Sequence, residues 1–156
     1  MMGATERLAE LGLELPPVAA PVASYTPAVR TGQYVYTSGQ LPFVDGALPV
    51  TGKVGTGEGL VDPADAAGLA RTAALNALAA VASVAGGLDN VVRIVKVVGF
   101  VASDPSFTGQ PAVVNGASDL LRDVLGDAGV HARSAVGVAV LPLDSPVEVE
   151  VVAEIA

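Results

Sequence analysis

The stretch from His131 to Ala156 reads HARSAVGVAVLPLDSPVEVEVVAEIA. Apolar side chains alternate with small or polar ones on both sides of Leu141-Pro142-Leu143-Asp144-Ser145-Pro146. A period of two marks a strand with one buried face, and the prolines with the Asp-Ser pair mark a turn. The pattern predicts two strands folded as a hairpin. Charges interrupt it, among them Arg133 at the start of the first strand, and Glu148 and Glu150 inside the second. The two glutamates share one face, opposite Val147, Val149 and Val151. Arg133 has two readings. It can pair with Glu148 or Glu150 on the neighbouring strand, or its planar fork can grip the carboxylate of a bound molecule. The glutamates are either solvated surface charges or, if their face borders a cleft, groups that orient a water or take a proton.

Upstream, helical and extended patterns are mixed. GATERLAELGLEL, from Gly3, suits a short amphipathic helix ended by Pro16-Pro17. The small residues and prolines that follow favour extended chain. Tyr34-Val35-Tyr36-Thr37 is a strand of good β-formers, broken at Ser38-Gly39, and the Gly-rich run from Asp45 to Gly59 is a loop. Asp62 as cap, Pro63 at the first helical position and Asp65 in the first turn open a long Ala-rich helix. Leu75, Leu78, Ala82 and Ala85 form its stripe, and Gly86-Gly87 ends it. So many alanines permit close packing flat on a sheet. VVRIVKVVGFVAS, from Val91, is a mostly buried strand; if it is regular, Arg93 and Lys96 lie on opposite faces. A further helix follows with Val114, Leu121 and Leu125 on one face, interrupted by Asn115-Gly116. The alternation of elements predicts an α+β domain with helices on one face of a sheet.

The 156 residues suit one domain. The chain is 51% hydrophobic, 15% charged and only 4% aromatic, a composition that favours a subunit burying surface against copies of itself. Its net charge of −8 and scattered basic residues argue against nucleic acid as the main partner. Without cysteine there is no disulfide or thiolate chemistry, and the lone His131 makes no zinc site. The N-terminus lacks a secretion-signal pattern, and no run of ~20 apolar residues suits a membrane span. A cytoplasmic protein is expected.

Other polar residues have ordinary readings. Ser38 suits a turn serine bonded to backbone, and no nucleophile elbow surrounds it. Asn115 is unfavourable inside a helix unless exposed or functional. Tyr25 reads as a packing aromatic and His131 as structural or solvated. Gly52-Lys53-Val54-Gly55 is too short for a phosphate loop.

Taken together, Tyr36-Thr37-Ser38-Gly39-Gln40-Leu41-Pro42, Ala132-Arg133-Ser134 running on to Leu141-Pro142, and Val147-Glu148-Val149-Glu150 resemble the RidA/YjgF family of reactive-intermediate deaminases, in the family's order. The resemblance divides the chain into an N-terminal helix and linker, residues 1–20, and a RidA-like domain, residues 21–156. It implies a chorismate-mutase-like mixed β-sheet with two helices packed on one face, and a homotrimer with a cleft at each subunit interface. It also implies hydrolysis of enamines and imines such as 2-aminoacrylate to 2-keto acids and ammonia, with neither metal nor organic cofactor. By position Arg133 resembles the arginine that grips the substrate carboxylate. Glu148 resembles the glutamate that places the attacking water, standing opposite Arg133 on the partner strand. Ser38, Tyr25 and Asn115 resemble residues bordering the cleft. His131 stands where the commoner pattern has Pro, and Ala135 where many members carry Cys. These departures, with the long Asp45–Gly59 loop, point to a divergent branch. The alternative is a member that binds a small carboxylate without turning it over.

Overall fold

The computed structural model describes residues 2–20 and 23–156. The boundary expected at Pro21 and part of the extended segment after it therefore lie outside the described residues. The elements are α1 (Ala4–Glu10), β1 (Ala28–Thr31), β2 (Tyr34–Thr37), α2 (Pro63–Ala85), β3 (Val91–Ala102), α3 (Gln110–Leu125), β4 (Ala132–Val138) and β5 (Val147–Ile155). Five strands form one mixed sheet in the order β1-β2-β5-β3-β4. Only the β3–β4 pair is parallel, and α3 supplies the long crossover that a parallel pair needs.

The expected closing hairpin is not formed: β4 and β5 are consecutive in sequence, yet β3 lies between them, paired with both. The reason is burial. β3 is the longest strand and rich in Val and Ile, which suits a central position with a partner on each edge. β4 carries Arg, Ser and Gly and takes the sheet edge. The link between β4 and β5 crosses the end of β3 through Leu143 and Asp144, both at φ 58°. β3 is also irregular. Register shifts around Val92 and Val95 put Arg93 opposite Glu154 and Lys96 opposite Val152. Both basic residues therefore stand on the same face, where a regular strand would have separated them.

α2 and α3 cover one face of the sheet. The Asp62 carboxylate accepts from the Ala64 amide at 2.8 Å and Gly86 closes the helix in the left-handed region. Asp62→Ala is expected to cost about 1 kcal/mol, a fall in Tm of about 2–4 °C, measurable by thermal melting. α2 is long and apolar enough by length and composition to cross a membrane, against the reading above, but half of that stretch is buried in the fold. Ala66, Ala70, Ala73, Ala77 and Leu78 are buried there, over Val149, Val151 and Ala153 of β5. α1 packs mainly on α3 through Leu8; it stops at Gly12 (φ 72°), well before the prolines.

The other sheet face is open. Val29, Tyr34, Tyr36 and Val136 are 42–52% exposed on it, and Glu148, Glu150 and Val152 continue it along β5.

Candidate active site

The residues singled out in the sequence fall into two separate groups. The first surrounds Glu148 on the open face. Gln40 exchanges backbone hydrogen bonds with Val149, at 2.8 and 3.0 Å, and so pins the Ser-Gly-Gln turn to β5. The Ser38 hydroxyl donates to the Thr26 carbonyl at 2.6 Å and the Ser38 amide to Pro27 at 2.8 Å, which ties the turn to the segment carrying Tyr25. Gly39 lies directly against the Glu148 carboxyl; a Cβ there would be 2.6 Å from Glu148 Cδ. No side chain fits at that position without displacing the acid. These residues border a cleft of about 520 Å³, shared with Tyr25, Leu41, Phe43 and Leu143.

Burial holds the Glu148 carboxyl above the usual glutamate range, and the charge of Glu150 two residues on adds to it. Its proton is therefore retained to a higher pH than in free glutamate. A cation brought beside it would pull the value back down.

The second group lies at the sheet edge, under α3. Arg133 stands opposite Val97 of β3 and so shares the helix-covered face. Its guanidinium donates to Ser118 Oγ at 3.1 Å and to the Pro111 carbonyl at 3.0 Å. Pro111, Asn115 and Ser118 are spaced four and three apart on α3, so Asn115 belongs to the stripe that meets Arg133. His131 closes the group, with Nε2 2.8 Å from Ser118 Oγ.

Within one chain the two groups do not meet. Arg133 and Glu148 are on opposite faces, with β3 between their strands and their positions three residues apart along it. Strand spacing and rise put their Cα atoms roughly 14 Å apart. An Arg133 ion pair with Glu148 or Glu150 on an adjacent strand is therefore excluded in the chain. Tyr25, Ser38 and Glu148 lie together in one place, and Arg133 with Asn115 in the other. Ser118, thirteen residues before His131, carried no signal in the sequence beyond its place one turn after Asn115. The cleft wall from Leu41, Phe43 and Leu143 was equally silent, because it is made by loops.

A sheet of this order, helices on one face and the Ser-Gly-Gln turn against a Val-Glu-Val strand define a YjgF/chorismate-mutase-like protein. The family model described as "YjgF/chorismate mutase-like, putative endoribonuclease" matches residues 5–155. The chain belongs to this family, RidA/YjgF. It is 42% identical to "Protein TCP17" of Trypanosoma cruzi over 149 residues, 95% of this chain and 91% of that one. The structure of protein Atu1372 from Agrobacterium tumefaciens is 46% identical with TM-score 0.88, covering 98% of this chain and 92% of that one. That of E. coli TdcF with bound serine is 30% identical with TM-score 0.63, covering 91% and 94%.

Proposed function

We propose that this chain hydrolyses small 2-imino and 2-enamino acids to 2-keto acids and ammonia, in clefts between the subunits of a homotrimer. The observation that carries the reading is the division of the site. A carboxylate-gripping half, Arg133 with Asn115, and an acid-bearing half, Glu148 with Ser38 and Tyr25, lie on opposite faces of one sheet. Each is incomplete, and a neighbouring subunit's edge strand laid against the open face would join them. The apolar side chains on that face give such an assembly surface to bury. TdcF, a relative, binds serine, a small molecule with the same carboxylate handle.

The chemistry is mild. Water adds to the carbon of the protonated imine, the carbinolamine loses ammonia, and a keto acid remains; an enamine first takes a proton at its β-carbon. Arg133 fixes the carboxylate bidentately, while Glu148, whose hold on a proton is strengthened by burial, passes a proton between water and leaving nitrogen. Orientation supplies much of the rate. An RNA substrate has little support despite the family's label, because a chain of net charge −8 has no basic patch for a polyanion.

The test couples an amino-acid oxidase to the purified protein and follows decay of the imino acid, wild type beside Arg133→Ala. Acceleration by wild type and its loss in the variant are expected. No acceleration with small, branched or aromatic imino acids would refute turnover and leave a carboxylate-binding protein.

A further inference from the structure

Arg133 is held from behind, and the chain of atoms holding it has a direction. The His131 ring lies with Nδ1 2.6 Å from the Gly129 carbonyl oxygen and Nε2 2.8 Å from Ser118 Oγ. A carbonyl only accepts, so Nδ1 carries the hydrogen. In the neutral ring Nε2 is then an acceptor, and the Ser118 hydroxyl must donate to it. That leaves the lone pairs of Ser118 Oγ for Arg133, whose guanidinium donates to it at 3.1 Å. The order is Arg133 to Ser118 to His131 to Gly129, every donor matched to an acceptor. The Pro111 carbonyl takes a second guanidinium hydrogen at 3.0 Å, so the fork is fixed at two points.

We propose that His131 and Ser118 are positioning residues for Arg133, and that they hold its guanidinium in place only while the imidazole is neutral. The inference rests on the reading of Arg133 as the carboxylate grip. A protonated imidazole would turn Nε2 into a donor, so the Ser118 hydroxyl would lose its acceptor and Oγ would face two cationic donors at once. It would also set a second positive charge beside the guanidinium.

The surroundings agree. The ring is half-buried, and Arg133, two residues on in β4, and Arg122 on α3 both repel a proton on it. From β3, Arg93 donates to the Val130 carbonyl next to it, and Lys96 stands opposite Ala132 in the ladder. The acids of the neighbouring elements, Asp119, Asp123 and Asp127, line a separate depression with Arg71 and Arg122. Burial first, then the two arginines, depress the imidazole below its usual range against the opposing bond to Gly129. The ring therefore holds a proton less readily than a free imidazole and takes one only on acidification.

The sign follows. Affinity for a carboxylate should be full at neutral pH and fall on acidification. Acidification can only add a proton to Glu148, which removes a negative charge and favours anion binding, so that group cannot imitate the effect.

The experiment titrates the full-length protein with 2-oxobutanoate between pH 7.5 and 5 by calorimetry. Wild type should weaken about tenfold or more on acidification, as a charged hydrogen bond is lost. His131→Gln keeps a neutral acceptor and should not weaken on acidification. Ser118→Ala should be weak at every pH. Equal pH profiles for wild type and His131→Gln would overturn the proposal. Unchanged binding by Arg133→Ala would instead overturn the carboxylate-grip reading. In that case ¹⁵N NMR of His131 still decides the relay. It requires an Nδ1–H tautomer, and a midpoint that rises when Arg133 is replaced by alanine. An Nε2–H tautomer, or an unmoved midpoint, would sink it.

Discussion

Chains carrying Arg133→Ala, mixed with chains carrying Glu148→Gln, are expected to recover the imine hydrolysis that neither variant has alone. Each single variant should lose on the order of 10²-fold or more, the cost of losing orientation at the reacting centre. Recovery follows from the placement of the two residues. They sit on opposite faces with β3 between their strands, so the proposed site would draw them from different subunits. In a ring of three, every mixed trimer holds one interface where an intact Arg133 meets an intact Glu148. Random assembly of equal amounts then gives roughly a quarter of the wild-type sites. Co-expression with two different tags, followed by tandem purification, isolates the mixed species for assay. Mixed trimers with no more activity than the two parents would show that the residues act within one chain, or not together. A chain that stays monomeric by mass would remove the shared cleft altogether.

That arrangement was only partly legible in the sequence. Local signals worked where the physics is local. Asp62-Pro63 at one end and Gly86 at the other delimit α2 as expected, because caps and left-handed glycines act within one turn. The period of two in β5 separated Val147, Val149 and Val151 from Glu148 and Glu150 correctly. Pairing is not local. Nothing in the residues after His131 says that β3, thirty residues earlier in sequence, will lie between β4 and β5. Two neighbouring strands with a proline turn look like a hairpin until the competing demand of β3 for two partners is counted. Bulges are equally hidden, which is why Arg93 and Lys96 share a face. The site was legible as residue types in a family pattern. The separation of Arg133 from Glu148 was not, because it is a consequence of strand order.

Gly116→Ala is expected to destabilise the fold, while the same change at Gly68 is expected to stabilise it. Both glycines lie inside helices, where alanine is favoured by about 1 kcal/mol. At Gly68 nothing stands within 4 Å of the new methyl group, so that gain should be realised. At Gly116 the methyl would lie 2.7 Å from the Ala67 carbonyl carbon and closer still to its oxygen. The obstacle is backbone, which no rotamer change relieves. It belongs to α2, itself fixed by its alanine face on the sheet. Relief requires α3 to move away from α2, at an overpacking cost of about 1–3 kcal/mol or more that exceeds the propensity gain. The expected fall in Tm is several degrees, at about 2–4 °C per kcal/mol. The shift would also carry Asn115 and Ser118 away from Arg133, so carboxylate binding should weaken in Gly116→Ala at temperatures where it is still folded. A Gly116→Ala protein as stable as wild type would mean that the two helices are not locked at this crossing.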